Sequence, residues 1–189
     1  MRDIDGIAGF QALAGQHVAV SNWITITQQR IDTFADATDD HQWIHVDTGR
    51  CARESPYGGT VAHGFLTLSL LPAMLQDALH MAGIRMAINY GLNKVRFPAP
   101  VPVGSRLRAR LDILSVNGLP EGAQVNWAVL MEREGDDKPV CVAEFLMRCY
   151  QYSGRCPGLP GQERRAGPCC LLCGSDGFAR ISSCEVYFL

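Results

Sequence analysis

The chain lacks any apolar run long enough to cross a membrane. A spanning helix needs roughly twenty consecutive apolar residues, and the longest apolar stretch, residues 65–75, is interrupted by Thr67, Ser69 and Pro72. The N-terminus also lacks the apolar segment of a secretion signal, because acidic residues and glycines are scattered through its opening residues. These absences predict a cytoplasmic protein that has no membrane partner.

A strong excess of one charge is missing too. Lys and Arg number 17 against 19 Asp and Glu, which gives a formal net charge of −2. Nucleic acids and anionic membrane surfaces attract strongly basic proteins, so neither is expected as the main partner. The hydrophobic content of 47% is ordinary for a globular domain and is enough to build a core.

Several familiar site motifs are absent as well. The sequence has no G-x-S-x-G around a serine nucleophile, no H-E-x-x-H, and no G-x-G-x-x-G or Walker pattern. Five of the eight cysteines lie after residue 153, where Cys170 and Cys173 form a single C-x-x-C without a second pair at zinc-ligand spacing. A disulfide framework is not expected without a secretory signal, and neither a metal site nor a redox site is predicted.

The composition of the chain changes near residue 153. Residues 153–189 are rich in Gly, Pro, Arg and Cys, show no hydrophobic period and cannot easily build a core. We therefore predict one domain over residues 1–152 and a disordered, non-catalytic tail. The tail is either an accessory segment or an aberrant end produced by an out-of-frame read of the gene.

Within the domain, hydrophobic periodicity predicts a strand, a helix, a long loop, a buried helix and four strands, in that order. Thr27 can cap a short helix over residues 27–38, whose apolar face carries Ile31, Phe34 and Ala35. The loop over residues 39–63 has room for a helical turn at 48–53. The predicted strands cover residues 17–27, 86–97, 106–116, 124–133 and 140–152.

Residues 62–83 are apolar on nearly every face, which predicts a long buried helix. Pro72 should kink this helix, because proline removes a backbone donor and crowds the preceding turn. Gly, Asp and Pro between the last strands predict hairpin turns and hence antiparallel pairing. A strongly bent antiparallel sheet that wraps the helix would bury both, so we predict an α+β fold.

Residues 38–47, TDDHQWIHVD, concentrate acidic and imidazole side chains. Four residues separate Asp40 from His45, and a carboxylate and an imidazole on one loop can hold a water and perform acid–base catalysis. The spacing alone more often accompanies a structural role, in which Asp40 caps a turn and His45 packs with a backbone hydrogen bond. A metal site is not predicted, because the nearby acids and histidines lack a recognised ligand spacing.

A second motif, GGTVAHGF, lies at residues 58–65, and His63-Gly64 begins the predicted buried helix. The first N–H groups of a helix have no partner within it. The N–H of Gly64 could therefore stabilise negative charge on a substrate carbonyl, and glycine permits a close approach. A plain turn into a helix explains the same residues equally well.

Together, FADATDDHQWIHVD and SPYGGTVAHGFLTLSLLP resemble the MaoC-like dehydratases, which are the (R)-specific enoyl-CoA hydratases of the hot-dog superfamily. The resemblance covers roughly residues 10–152, including AINYGLNKVRFPAPVPVGSRLRA. It is strongest to the mycobacterial single-domain (R)-3-hydroxyacyl-thioester dehydratases and to the nodulation protein N group. It implies the hot-dog fold, in which a bent antiparallel sheet wraps a long central helix.

The catalytic motif of this family is an Asp, four residues and a His, followed downstream by His-Gly. Asp40, His45 and His63-Gly64 match it. The resemblance implies that Asp40 and His45 bind the catalytic water, with Asp40 as the base and His45 as the acid. It also implies that the N–H of Gly64 holds the thioester oxygen.

Other site residues are weaker candidates. Gln42 stands where many family members have Asn, and Ser69 is the nearest substitute for a serine that some members carry at the position of Pro72. These two and His63 are candidates for supporting contacts. The candidates for an apolar slot that holds the acyl chain are Trp43, Phe65 and Leu66.

The implied reaction belongs to fatty acid metabolism. It is the reversible, stereospecific addition of water to a trans-2-enoyl thioester, which gives the (R)-3-hydroxyacyl thioester. No cofactor is expected, because coenzyme A or an acyl-carrier protein belongs to the substrate, and a homodimer with joined sheets is implied. Two alternatives stay open: a hot-dog thioesterase, for which Asp77 is the only acid on the predicted helix, and a non-catalytic acyl-thioester-binding module.

Overall fold

A computed structural model describes residues 1–151. The predicted tail at 153–189, with its Cys170 and Cys173, lies outside the described residues. The helices are α1 (Gly6–Ala12), α2 (Gln28–Thr38), α3 (Trp43–Val46), α4 (Thr48–Glu54), α5 (Gly64–Ser69) and α6 (Leu71–Ala78). The strands are β1 (Arg2–Asp5), β2 (His17–Val20), β3 (Ile24–Thr25), β4 (Leu79–Ala82), β5 (Ile84–Arg96), β6 (Arg106–Leu119), β7 (Gly122–Arg133) and β8 (Cys141–Gln151).

The main sheet is antiparallel, with strands in the order β2-β6-β7-β8-β5, and the short β3 also pairs with β6. The predicted turn between β6 and β7 is tighter than expected, because pairing continues to Leu119 and Gly122. Only Pro120 and Glu121 separate the two strands. Glu121 has a φ of 66°, the left-handed value that follows proline in a type II turn.

The long strands bury alternate side chains, as the sequence predicts. Every second residue of β7 from Ala123 to Met131 is buried, and β8 does the same from Cys141 to Cys149. With the exception of Ala123, these side chains join the buried apolar residues of α5 and α6 in one hydrophobic core. The α+β arrangement of a bent sheet packed on a helical layer, which is formed by α5 and α6, is therefore confirmed.

The predicted long helix over residues 62–83 is wrong in its extent. The segment forms two short helices that break at Leu70, and residues 79–82 form β4 instead. Pro72 explains the break, because it lies in the first turn of α6, where its missing N–H and fixed φ are tolerated. The strand β4 pairs in parallel with β1 at the N-terminus, a long-range contact that overrides the local helical pattern.

The helical layer is also not buried on every side, contrary to prediction. Phe65 is 66% exposed, and Ser69, Ala73 and Gln76 on the following turns are exposed as well. The prediction from apolar composition therefore overestimated the burial of these helices, because their outer face is exposed to solvent in the single chain. None of the helices within residues 1–151 is long and apolar enough to cross a membrane.

The helix α2 matches its prediction closely. The Thr27 hydroxyl accepts a hydrogen bond from the N–H of Arg30 at 3.2 Å, and Ile31 and Ala35 are fully buried. The helix ends at Thr38 because Asp39 adopts a φ of 56°, a left-handed conformation that terminates helices. The predicted loop that follows contains two short helices, α3 and α4, of which α4 covers the expected turn at 48–53.

Candidate active site

Asp40 lies in the sharp connection between α2 and α3. The left-handed conformation of Asp39 reverses the chain just before it, and α3 begins three residues after it. The Asp40 side chain is 54% exposed, and its carboxylate makes no hydrogen bond with any residue of 1–151. The carboxylate is therefore open to a water or a substrate.

His45 lies on α3 and is only 7% exposed. Its Nδ1 lies 2.6 Å from the backbone oxygen of Val61. A carbonyl can only accept, so Nδ1 must carry the hydrogen and donate it. In the neutral ring the lone pair is then on Nε2, which has no hydrogen-bond partner among the described residues. His45 thus presents a free basic nitrogen, held in one tautomer by the backbone.

Burial lowers the pKa of His45 below its ordinary 6.5, because a charged ring would lose hydration. The nearby His63 adds to this lowering, whereas the hydrogen bond to Val61 and the Asp40 carboxylate act in the opposite direction. The imidazole is therefore neutral at neutral pH.

His63 joins the two predicted catalytic residues. It is 3% exposed, its Nε2 donates to the backbone oxygen of Asp40 at 2.9 Å, and its ring stacks on that of His45 with centroids 3.7 Å apart. The ring of Phe34 covers another side at 5.1 Å. His63 therefore fixes both the backbone of Asp40 and the plane of the His45 ring.

One side-chain ligand atom from each of Asp40, His45 and His63 lies within 4.8 Å of the others. A metal does not fit this arrangement well. His45 Nδ1 and His63 Nε2 already donate to carbonyl oxygens, and His63 Nδ1 is buried without a hydrogen-bond partner. Asp40 and His45 Nε2 are the only open ligands of the three residues, so the cluster is better suited to binding a water.

Gly64 begins α5 directly after His63, which provides no side-chain cap for the helix. A Cβ added at Gly64 would lie only 2.8–3.0 Å from three ring carbons of Phe97, so glycine is required here by packing. A cavity of about 330 Å³ lies beside Gly64, with Tyr57, Thr67 and Phe97 in its lining. The sequence did not identify this set of three residues, because only the fold brings Phe97, which follows β5, to Tyr57 and Thr67.

The weaker candidates do not gather around the pair. Phe65 is exposed and packs edge-on against Phe97 at 6.0 Å, while the Trp43 ring lies under the Arg50 guanidinium at 4.2 Å. Leu66 is buried in the core. None of the three lines the cavity beside Gly64.

The three candidates for supporting contacts, Gln42, His63 and Ser69, differ in what they contact. The Ser69 hydroxyl donates to the Phe65 carbonyl at 2.7 Å, within its own helix. Gln42 precedes α3 as its N-cap without a side-chain capping bond. Of the supporting candidates, only His63 contacts both Asp40 and His45.

Two further polar residues of TDDHQWIHVD, His41 and Asp47, have structural partners. His41 pairs with Asp36 at 3.0 Å, and this hydrogen bond raises the pKa of His41. The Asp47 carboxylate caps α4 by accepting from the N–H of Arg50 at 2.8 Å. These residues stabilise the loop around Asp40 and His45.

Comparison with known proteins gives a consistent family. Residues 9–129 match the model of the MaoC-like domain. Over 149 residues the chain is 52% identical to 3-hydroxyacyl-thioester dehydratase Z of Mycobacterium tuberculosis H37Rv, with 78% of this chain and 98% of that protein covered. It is 45% identical over 144 residues to nodulation protein N of Rhizobium leguminosarum bv. viciae, with 74% and 88% covered.

The fold agrees with a solved structure. R-hydratase PhaJ1 from Pseudomonas aeruginosa, without ligand, superposes with a TM-score of 0.60 over 80% of this chain and 92% of that one, at 24% identity. At this identity the likeness concerns the fold, which is the same bent sheet on a helical layer.

Proposed function

Because the chain belongs to the MaoC-like domain family of hot-dog dehydratases and hydratases, we propose that it is a hydro-lyase acting on acyl thioesters. In the proposed reaction, water adds reversibly to a trans-2-enoyl thioester and gives the (R)-3-hydroxyacyl thioester. The observation that carries this proposal is a buried His45 whose Nε2 has no hydrogen-bond partner within residues 1–151 and whose ring has a nitrogen within 4.8 Å of the exposed Asp40 carboxylate.

We propose that this pair holds one water by both of its hydrogens, since a carboxylate and an imidazole lone pair are both acceptors. As the water oxygen bonds to C3, His45 Nε2 takes one proton and the C=C electrons move onto the thioester oxygen. His45 then returns that proton to C2, while Asp40 orients the remaining hydroxyl. Dehydration is the same sequence in reverse.

This assignment keeps His45 as the acid that protonates C2 but makes it the first base as well. The family-based alternative, with Asp40 as base, requires a charged His45 at the start, which burial of the ring disfavours. The pH profile of kcat/KM separates the two versions. Hydration should fall as the pH drops through the pKa of His45, and a rise over that range would favour Asp40 as the base.

Gly64 is proposed to donate its N–H to the thioester oxygen. Negative charge builds on that oxygen as C3 is attacked, so a donor there stabilises the transition state more than the ground state. The support is the uncapped start of α5 at Gly64 and the adjacent cavity, which is proposed to receive part of the substrate. No step of this reaction needs a cofactor.

The thioesterase alternative is less well supported. The only acid on the helical layer, Asp77, accepts from the N–H and the side-chain amide of Asn22 at 2.6 and 2.8 Å. Both of its oxygens are engaged in holding the loop after β2, so it is not available to activate a water.

A three-way assay with crotonyl-CoA tests the proposal. Hydration removes the absorbance of the conjugated C=C bond, whereas hydrolysis releases a thiol that a disulfide reagent detects. We expect loss of the absorbance without thiol release. Thiol release would support the thioesterase, and binding without either signal would support a non-catalytic module.

We also propose a homodimer, in which the sheets join along β5. This strand is thirteen residues long and lies at an edge of the sheet formed within residues 1–151, where its partner strand is β8. An exposed edge of this length is a ready site for pairing with another strand. Light scattering of the purified chain should give twice the mass of the monomer, and a monomeric mass would contradict this.

A further inference from the structure

Gln28, the first residue of α2, connects three parts of the molecule through one side chain. Its Nε2 donates to the Asp32 carboxylate at 2.7 Å and to the backbone oxygen of His45 at 2.8 Å. Its Oε1 accepts from the hydroxyl of Thr60 at 2.5 Å. The amide group therefore bridges α2, α3 and the segment that precedes His63.

Thr60 is 1% exposed and is next to the residue that holds the His45 ring. The carbonyl of Val61 accepts from His45 Nδ1 at 2.6 Å, and the N–H of Val61 donates to Ile44 at 3.0 Å. Thr60 itself accepts at its carbonyl from the N–H of Val103 at 3.0 Å. The segment that contacts the ring is therefore fixed on both sides, and its link to α2 is the bond from Thr60 to Gln28.

We infer that Gln28 and Thr60 are positioning residues for His45, holding the backbone of this residue and the carbonyl that orients its ring. Gln28 restrains the His45 backbone directly. Through Thr60 it restrains the neighbouring Val61, so both attachments of His45 share one side chain. This inference rests on the proposed hydratase function, since it describes how the acid–base group of that reaction is held.

The physical reason is that proton transfer depends steeply on geometry. A misplacement of about 1 Å at a reacting group can lower a rate by about a hundredfold. Without the Gln28 amide, the His45 carbonyl would lose this donor and the buried Thr60 hydroxyl would lose its acceptor. The ring could then turn away from the position in which Nε2 faces the water, while the binding of substrate would be little changed.

Kinetics of four variants in the full chain tests this inference, with crotonyl-CoA as the substrate. Gln28→Leu and Thr60→Val each remove one side of the bridge at similar volume, and each should lower kcat about ten- to a hundredfold with KM within about threefold. Thr60→Ser keeps the hydroxyl and should retain kcat within about threefold. Gln29→Leu is the matched control, because Gln29 is the exposed neighbour of Gln28 and its side chain has no hydrogen bond within residues 1–151.

The double variant Gln28→Leu/Thr60→Val distinguishes a shared role from two separate ones. If the two residues act as one bridge, the kcat of the double variant should lie within about threefold of the kcat of the slower single variant. Multiplied losses, or a kcat within threefold of wild type in Gln28→Leu, would overturn the inference. Circular dichroism at the assay temperature verifies that each variant is folded.

A second measurement does not depend on activity. Nitrogen-15 NMR of labelled histidine side chains reports which ring nitrogen carries the hydrogen. Wild-type His45 should show hydrogen on Nδ1 only, and Gln28→Leu and Thr60→Val should show a mixture of tautomers. An unchanged tautomer in both variants would overturn the inference. A wild type that fails to hydrate crotonyl-CoA would count against the proposed function alone, because this NMR result can still be obtained.

Discussion

The strands β7 and β8 bury only apolar side chains, whereas the segment from residue 38 to 67 buries polar side chains beside apolar ones. The inward positions of β7 and β8 are all apolar, whereas four of the five buried polar side chains of residues 1–151 belong to the segment. These four are His45, Thr60, His63 and Thr67. Each is hydrogen-bonded to the protein. Apolar burial thus fixes where the layers lie, and directed hydrogen bonds fix where the reactive groups point.

The largest expected effect comes from removing the acid–base groups of the segment. His45→Gln should lower kcat for hydration by about a thousandfold or more, since proton transfer typically contributes about 10²–10⁴. Asp40→Asn should lower kcat by about a hundredfold or more, since it removes the carboxylate that orients the water. Asp40→Asn should change the free energy of unfolding by less than about 1 kcal/mol, because the Asp40 side chain is exposed. His45→Gln should lower it by about 1–3 kcal/mol, because it removes a buried ring that donates to the Val61 carbonyl. Stopped-flow absorbance and urea unfolding provide the two measurements, and full activity in either variant would contradict the assignment.

In the sheet, a substitution should lower the free energy of unfolding and leave kcat almost unchanged. Leu111 on β6 is fully buried, and Leu111→Ala should lower the free energy of unfolding by about 3 kcal/mol through the lost burial and the cavity left behind. The kcat of the folded protein should stay within about threefold. Leu114→Ala is the matched control, since Leu114 lies on the same strand but is 50% exposed, and it should cost less than about 0.5 kcal/mol.

Gly64→Ala should disturb both the packing beside α5 and the rate of the reaction. The added methyl group would overlap the Phe97 ring, so the start of α5 or the ring must move, and we expect kcat to fall about tenfold or more. The double variant Gly64→Ala/Phe97→Leu should recover part of the loss by relieving the contact.

Gly59→Ala provides the control for this steric effect. Gly59 belongs to the same motif, but an added Cβ would meet nothing within 4 Å. We expect this variant to behave like wild type. Equal losses at both glycines would show that the contact with Phe97 is not the cause.

Two histidines of one motif should have pKa values that are shifted in opposite directions. The pKa of His45 is lowered by burial, and that of His41 is raised by Asp36, each from 6.5. His45 therefore contributes stability that is present above pH 6.5 and is lost as the pH falls through its folded pKa. The contribution of His41 is present below pH 6.5 and is lost as the pH rises through its folded pKa. Proton NMR of the ring signals should give the lower midpoint for His45, and the reverse order would contradict the burial argument.

The smallest effects are expected at two residues with a left-handed backbone conformation. One lies in the segment from residue 38 to 67, and the other lies in the sheet, in the turn between β6 and β7. Asp39 has a φ of 56° and Glu121 a φ of 66°, a conformation that glycine adopts without a Cβ penalty. Asp39→Gly and Glu121→Gly should each raise the free energy of unfolding by about 0.5 kcal/mol. Activity should stay unchanged in both, and a loss in Asp39→Gly alone would give the Asp39 side chain a role in the reaction.

The sequence predicted the parts of the fold that depend on local patterns. Alternation identified the long strands, and Thr27 with Ile31 and Ala35 identified α2. The pairing of β1 with β4 was missed, because it joins the N-terminus to residues 79–82 and has no local signal. The helix over 62–83 was overextended for the same reason, since its last turns form the partner strand.

For the candidate site, two motifs pointed to Asp40, His45, His63 and Gly64, and the fold brings the first three of them together. The contacts of the two histidine rings could not be read from the sequence. Each ring donates to a backbone carbonyl, at residue 40 or 61, and every amino acid supplies such a carbonyl whatever its side chain. The contribution of Gln28 was hidden for a similar reason. A glutamine at the start of a helix is ordinary, and only the fold brings its amide to His45 and Thr60.

Because carbonyl groups hold both imidazole rings, the geometry of the proposed acid–base site does not depend on which side chains stand at the two residues that supply those carbonyls. A carbonyl is supplied by every amino acid, so the bond from His45 Nδ1 to residue 61 survives any side chain that fits the space at that position. Likewise, Asp40→Asn leaves the oxygen that His63 contacts in place. Libraries around the cavity beside Gly64 can therefore test substrate preference without redesigning the proposed pair of Asp40 and His45.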